Sequence, residues 1–486
     1  MPYGLKDIEL EKLSKVFAAN ERIERVVLYG SRAKGNYKPF SDVDITMMGS
    51  ELTHTDLNRI SFAIDDLLLP YQFDISIFHT LKNEALIDHI HRVGIAIYER
   101  ESEWKEYKLG EIAEVIGGGT PDTSNAEYWN GDIPWLTPKD LTGYNGIFIS
   151  KGERYITKKG LDNSSAKLLP PGTVLLSSRA PIGYVAIASN SICTNQGFKS
   201  IICNPQIVDN LFMYYWIRNN VEYLQSLGTG TTFAEISGSV VKSINVVIPS
   251  LDIQHRIASI LTSLDDKIDL LRRENATLEA MAETLFRQWF VVEAKEEWEE
   301  GKLGDWVVIK RGGSPRPIND YIAPTGYRWL KISDVTNLNS PYIFQTKEYI
   351  KESGLQKTVY LRKGSLVLSN SATPGIPKIL CVDSCIHDGW LYFPKSSFSK
   401  IYLYLLFKYI REDLVNLGNG SIFTNLKTDI LKDYKVVKPD AKTLENFDHH
   451  VQPIFDKLYS NDIQIQTLIQ TRDGLLPRLM GGEIKI

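Results

Sequence analysis

The chain repeats itself. Within its 486 residues, KLGEIAEVIGGGTP (Lys108–Pro121) returns as KLGDWVVIKRGGSP (Lys302–Pro315) 194 residues later, and WLTPKDL (Trp135–Leu141) returns as WLKISDV (Trp329–Val335) at the same displacement. LPPGTVLLSSRAPIG (Leu169–Gly183) matches LRKGSLVLSNSATPG (Leu361–Gly375) at 192, and GTGTTF (Gly228–Phe233) matches GNGSIF (Gly418–Phe423) at 190. Matching turns in matching order, at so long a period, mean a duplicated domain and not a solenoid. Whatever one copy does, the fold must do twice.

Inside each copy, short runs rich in Val, Ile, Tyr and Phe alternate with Gly/Pro/Asn/Ser turns, as in GTVLLSS and GSLVLSN, which predicts a mainly β domain. Helices are expected at Val208–Leu227 and its counterpart near Ser399–Leu417. After each copy the texture changes. From Asp252 to Phe290 a stripe runs Leu261, Leu264, Ile268, Leu271, Asn275, Leu278, Ala282, Leu285, and 190 residues on it runs Val451, Ile454, Leu458, Asn461, Ile465, Leu468, Arg472, Leu475. Steps of three and four over four heptads predict a coiled-coil seam, with Asn275 and Asn461 as buried register-setting groups. A helix packed only on its own domain would give a similar stripe. Pro453 should kink the second helix or mark its start.

Composition sets the broad class. The chain is 43% hydrophobic and 23% charged, and its most apolar run, Ile401–Ile410, contains a lysine and is too short to span a bilayer. No signal-peptide pattern opens it, so the cytoplasm is the expected location, with no membrane partner. Cys193, Cys203, Cys381 and Cys385 lack the paired spacing of a zinc site and read as buried thiols; no histidine motif appears, and His449–His450 reads as an exposed helix pair. The net charge of −4 is unevenly spread: residues 301–440 carry 20 Lys and Arg against 12 Asp and Glu, residues 107–250 balance 11 against 11, and residues 251–300 hold 6 against 12. Only the second copy can meet phosphates on charge alone.

The first hundred residues share nothing with the repeat. The expected order is a helix (Asp7–Asn20), the strand RVVLYG, a turn SRAKGNYKPFS, the strand DVDITMM, a helix near Thr55–Leu69, and the strand FDISIF (Phe73–Phe78). Alternation puts Asp42 and Asp44 on one face of a strand, about 7 Å apart along the backbone. Asp74 stands on a later strand, suited to join them. Three carboxylates can hold divalent metals for phosphoryl transfer. The turn supplies the complement: Gly30 for close backbone approach, Ser31 a hydroxyl, Arg32 and Lys34 positive charge for a triphosphate.

Two resemblances follow from these residues. The duplicated part, about Tyr107–Ile486, resembles the specificity (S) subunit of type I restriction-modification systems. The likeness rests on KLGEIAEVIGGGTP, TNQGF (Thr194–Phe198), IPSLDIQHRIASILTSLDDKI (Ile248–Ile268), TLFRQWF (Thr284–Phe290) and the duplication. It implies that each β-rich domain is a target recognition domain reading half of a split, asymmetric site on double-stranded DNA. The helices, each about 50 Å long for about 35 residues, would hold the readers about one DNA turn apart. It also implies separate modification subunits, expected to be two, using S-adenosylmethionine, and restriction subunits using ATP. Nothing in 107–486 looks catalytic. The matched polar loops are the expected DNA contacts: Thr120 and Thr123, Lys139, Ser178 and Arg179, and Thr229–Thr232 including Thr231 in copy one; Ser314 and Arg316, Lys331, Asn370 and Thr373, and Asn419–Thr424 in copy two. Arg or Lys suit guanine and Asn or Gln adenine, while ordinary turn roles would use the same residue types.

The N-terminal pattern, GSRAKG then SDVDI then FDI, resembles the minimal nucleotidyltransferases of the DNA polymerase β-like superfamily. It implies that Asp42, Asp44 and Asp74 bind Mg²⁺ and are catalytic, with Gly30 and Ser31 on the phosphates of an NTP. The expected architecture is α+β and multidomain: an α/β nucleotidyltransferase-like domain (1–100), a linker (101–106), recognition domain one (107–250), a spacer helix (251–295), recognition domain two (296–440) and a second spacer helix (441–486), the helices pairing as an antiparallel coiled coil. Two other readings stay open: a nucleotidyltransferase enzyme with a protein or nucleic-acid acceptor, which the repeat delivers to DNA or to a partner protein, and an N-terminal domain that is inactive and serves for docking.

Overall fold

The computed structural model describes residues 2–38, 40–49, 51–100, 104–230, 234–418 and 426–484. The chain forms two compact units, Met1–Lys105 and Glu106–Ile486.

In the first unit, helices α1 (Asp7–Ala18), α2 (Gly30–Lys34), α3 (His54–Asp65) and α4 (Glu84–Val93) surround a sheet of β1 (Arg25–Leu28), β2 (Val43–Met48), β3 (Phe73–Ile77) and β4 (Ile95–Glu99), in the order β3-β2-β1-β4. Leu13 and Phe17 of α1, and Ile60 and Ile64 of α3, recur at four-residue spacing and pack on Val43, Ile45 and Met47 of β2. Because strand side chains alternate, Asp44 faces the other side, where Val27, Tyr29 and Ile90 form a second cluster with Met48 and Phe78. Thr53 caps α3 by accepting from the Asp56 backbone N–H, and the Asp56 carboxylate accepts from the Thr53 backbone N–H at 2.9 Å. Residues 30–34, expected as part of a turn, form a short helix closed by Gly35 in the left-handed region.

In the second unit the two copies share one topology. Copy one has a five-stranded sheet ordered Ala113–Gly117, Phe198–Cys203, Val174–Ser178, Ile182–Ala188, Phe148–Ile149; copy two repeats it as Val307–Arg311, Trp390–Ser396, Leu366–Ser369, Pro377–Leu380, Tyr342–Ile343. The continuous apolar run of Val174–Ser178 is buried throughout, as a central strand covered on both faces requires. Helix Asn210–Asn219 lies on this sheet in copy one, and Lys400–Tyr409 in copy two, each capped by a side chain, Asp209 or Ser399. A second sheet sits beside each: three strands in copy one and five in copy two.

Two long helices join the copies, Leu251–Arg287 with 37 residues and Ala441–Met480 with 40. They run antiparallel, since Asn275 meets Asn461 while Asp265 meets Arg472. Ile268, Leu271 and Ile465 bury one another at the centre of the pair. Every residue of both stripes is buried or half-buried. Pro453 does not mark the helix start: Asp440 caps it from outside, and the helix runs through Pro453 and Pro477. The four cysteines are unpaired, and burial pushes the Cys203 thiol up to about 12. No helix among the described residues is long and apolar enough to cross a membrane.

Candidate functional site

In the first unit, β2 and β3 pair in parallel with Asp44 directly opposite Asp74, so both side chains leave the same face of the sheet. Asp42 lies two residues before Asp44 and shares that face. Asp42 and Asp74 are exposed and Asp44 is half-buried. Burial raises the Asp44 carboxyl above its ordinary range, and the like charges of Asp74 and Asp42 push the same way, while Arg32 and His89 oppose. Gly30 stands at φ +73°, and a Cβ there would strike the Asp44 carboxylate, with Oδ2 its nearest atom. The Tyr29 N–H donates to Asp44 O at 2.9 Å, fixing this approach.

Among the described residues no three His, Cys, Asp or Glu side chains are arranged to hold a metal ion by themselves, the three aspartates included. The expected triad is therefore an open row and not a closed cage. Its hard oxygen donors suit Mg²⁺, which is ordinarily held by one or two carboxylates together with substrate phosphates.

Arg32 has another task than the one expected from the sequence. It is 2% exposed, and its guanidinium donates from Nη2 to Ser41 O at 2.7 Å, from Nε to Asp42 O at 3.0 Å and from Nη1 to Tyr3 O at 3.1 Å. Its face lies over the Tyr71 ring at 4.8 Å. With these donors committed to carbonyls, Arg32 positions the Ser41–Asp42 backbone and is not a phosphate ligand. Lys34 is exposed and Ser31 half-buried on the same short helix. Two residues the sequence reading missed also belong here. His89 on α4 weakly favours the ionised form of Asp44, and the Tyr29 phenol, raised by burial, feels Asp74 and Asp44.

In the second unit, three of the expected DNA-contact loops converge in copy two. Ser314, Arg316, Lys331, Ser371 and Ala372 line one cleft of about 940 Å³, floored by Trp329 and His387. The cations there are engaged: Arg316 Nη2 meets Asp388 Oδ2 at 3.3 Å, and Lys331 pairs with Glu348. Copy one repeats the scheme with Lys139 on Glu153 at 3.0 Å and Arg179 on Glu235 at 3.5 Å. Such exposed pairs contribute about 0–1 kcal/mol, so the acids hold these cations only weakly.

Two expected contacts are corrected. Ser178 is 0% exposed and Asn370 is 3%. Ser178 N donates to Gly197 O at 2.7 Å, and Asn370 N to Gly389 O at 2.9 Å, the same bond in each copy. Both hold the loop and cannot reach bases. Beside them Ser177 Oγ donates to Pro181 O at 2.8 Å and Ser369 Oγ to Thr373 O at 2.6 Å. Thr373 thus contributes its carbonyl to the lock. The tips, Ala180 at φ 52° and Ala372 at φ 58°, share a left-handed conformation that costs a non-glycine residue energy. This presents Arg179 and Ser371 at equivalent places. Thr123 follows Thr120, whose Oγ1 bonds Gln196; Thr229 pairs by backbone with Glu235. Thr231 and Thr232, and Asn419 to Thr424, lie outside the described residues.

Two copies of one β-rich domain joined by an antiparallel helix pair define a two-headed architecture. The family described as "Type I restriction modification DNA specificity domain" matches residues 101–280 and 295–471, and the chain belongs to that family. The "Polymerase beta, Nucleotidyltransferase" family matches residues 11–103, so a nucleotidyltransferase-like domain precedes the specificity subunit. The type I restriction enzyme MjaIX specificity subunit of Methanocaldococcus jannaschii is 33% identical over 419 residues, covering 79% of this chain and 94% of that one. The HindI specificity subunit of Haemophilus influenzae is 25% identical over 484 residues, covering 79% and 100%. The crystal structure of a type I S subunit from M. genitalium shares the fold, with TM-score 0.50 and 17% identity over 77% of this chain and 96% of that one.

Proposed function

We propose that this specificity subunit reads a bipartite, asymmetric site on double-stranded DNA, one half with each copy. The observation that carries the reading is the repeated loop frame, which lines a cleft in copy two and bears different side chains at its tips in the two copies. Identical frames give the same approach to DNA; different tips give different half-sites. The antiparallel pair, about 55 Å long at 1.5 Å per residue, sets the separation.

The chain carries the address, and modification subunits, expected to be two, bring S-adenosylmethionine, while restriction subunits bring ATP. The acidic stretch 251–300 and the net charge of −4 leave the isolated chain a weak DNA binder. Assembly in the cytoplasm supplies the missing positive surface. Deleting the gene tests this directly: adenine methylation at one split motif should vanish from the host genome, and its persistence would overturn the proposal.

The N-terminal domain is proposed to take Mg-NTP. Asp42, Asp44 and Asp74 would hold Mg²⁺ jointly with the nucleotide's phosphates, Gly30 admits those phosphates close to the backbone, and Ser31 and Lys34 line the approach. Bound there, Mg²⁺ supplies charge neutralisation for nucleotidyl transfer. The acceptor is brought by a partner. Labelled NTP with host extract, comparing wild type with Asp44→Asn, separates a transferase from a docking module: label transfer lost in the variant supports the first, none in either supports the second.

A further inference from the structure

One hydrogen bond is built twice with different chemistry. In copy one, Thr120 Oγ1 donates to Gln196 Oε1 at 2.6 Å; in copy two, Ser314 Oγ donates to Asp388 Oδ1 at 2.6 Å. The pairs stand at the repeat's own displacements, 194 for the hydroxyls and 192 for their acceptors. The loop behind them is also duplicated. Asn195 Oδ1 accepts from Gly197 N at 2.9 Å, and His387 Nδ1 accepts from Gly389 N at 2.8 Å. Gly118 and Gly312 each pack against the carbonyls of the two residues that precede Gln196 and Asp388. The backbone is thus held alike in both copies, while the exposed end changes from an amide to a carboxylate.

We propose that Gln196 and Asp388 are equivalent specificity-determining residues, Gln196 offering amide donors to one base pair of its half-site and Asp388 offering an acceptor to one base pair of the other. This rests on the DNA-reading assignment above. With Oε1 of Gln196 occupied by Thr120, its Nε2 hydrogens face outward and match acceptors in the major groove: guanine O6 or N7, thymine O4, adenine N7. Asp388 is a pure acceptor, held ionised chiefly by the Ser314 hydrogen bond. It matches the exocyclic amines of cytosine or adenine.

A carboxylate facing DNA must be compensated, and copy two does this. Arg316 Nη2 lies 3.3 Å from Asp388 Oδ2, and Arg311 Nε donates to Asp388 O at 2.5 Å. Where copy two has Arg316, copy one has Asp122, whose carboxylate turns back to accept from Ser124 N at 2.9 Å and Ser124 Oγ at 2.7 Å. The arginine accompanies the carboxylate and is missing where the amide stands.

The test uses the full chain assembled with its modification subunits, methylating a DNA library with randomised half-sites, read by N6-methyladenine sequencing. The isosteric variants Gln196→Glu and Asp388→Asn should each change base preference by about tenfold or more at one position of one half-site, leaving the other half as in wild type. Thr120→Val and Ser314→Ala, which keep the reading group but free its rotor, should retain the preferred base with weaker discrimination, and they stand in if a first variant fails to fold. A Gln196→Glu or Asp388→Asn protein that melts with wild type yet reads the wild-type motif, or loses methylation equally at every sequence, overturns the inference, as does a Thr120→Val or Ser314→Ala protein that discriminates as sharply as wild type. A wild-type complex that methylates without any motif would instead overturn the assignment on which it rests.

Discussion

Asn461 Nδ2 donates to Asn275 Oδ1 at 2.9 Å across the two long helices. Asn275 Nδ2 in turn donates to Asp462 Oδ1 at 2.9 Å, and Asp462 Oδ2 accepts from Ser340 of copy two at 2.5 Å. One network therefore fixes the helix register and ties a reading domain to it, so the distance between readers is a property of the fold and not of a flexible tether.

Asn275→Leu is expected to cost about 2–3 kcal/mol, because it strands two buried polar partners, Asn461 and Asp462. The double variant Asn275→Leu/Asn461→Leu should recover part of that loss while relaxing the register, as replacing both members of a buried pair removes unsatisfied groups. Thermal unfolding of the single and double variants checks both statements.

Stability should carry a pH signature at this junction. Burial pushes Asp462 up to about 6 from an ordinary value of 3.8, against the pull of Ser340 and Lys378. Between roughly pH 4 and 6 the folded state holds this proton more tightly than the unfolded state, so through this group stability falls as pH rises across that window. Above it the ionised carboxylate is a standing cost. Asp462→Asn should gain stability relative to wild type between pH 5 and pH 7, read as the difference in melting temperature at the two values; an equal difference at both would contradict the assignment.

Arg32→Ala should unfold the N-terminal unit more easily, by about 3 kcal/mol from the acceptors it leaves unsatisfied, since the buried guanidinium holds the carbonyls of Tyr3, Ser41 and Asp42. A phosphate ligand would show the opposite pattern, a loss of nucleotide affinity at unchanged stability. Melting curves with and without nucleotide distinguish the two.

Mg²⁺ with NTP should raise the melting temperature of the N-terminal unit in wild type, because a cation on the carboxylate row offsets the burial, and after it the like-charge repulsion, that raise Asp44. Asp44→Asn should melt higher than wild type without the ion and show no further rise with it. Gly30→Ala should melt lower, its Cβ colliding with the Asp44 carboxylate at a backbone angle of +73°.

The sequence was most readable where local pattern and long-range repetition agreed. Duplication exposed the paired loops, the 3-4 stripes exposed the helix pair, and the DxD spacing placed Asp42 and Asp44 on one face. It was least readable where burial decides the role. Arg32 in GSRAKG has the look of a phosphate ligand, and only tertiary packing turns it inward. Ser178 and Asn370 sit in polar loops yet are buried at the loop base, a distinction that alternating pattern cannot make. Pro453 signals a helix break, but the helix is anchored on both sides by packing and continues. Gln196 lies inside TNQGF, and its kinship with Asp388 emerges only from the two equivalent hydroxyl bonds in space.

The central claim is that the two copies read two unlike half-sites at a fixed separation. Single-molecule sequencing of DNA from a host expressing this chain with its modification subunits tests it most directly. The account predicts N6-methyladenine at one motif made of two different half-sites with a constant number of unspecified bases between them. A palindromic or continuous motif, or halves separated by a variable gap, would contradict it.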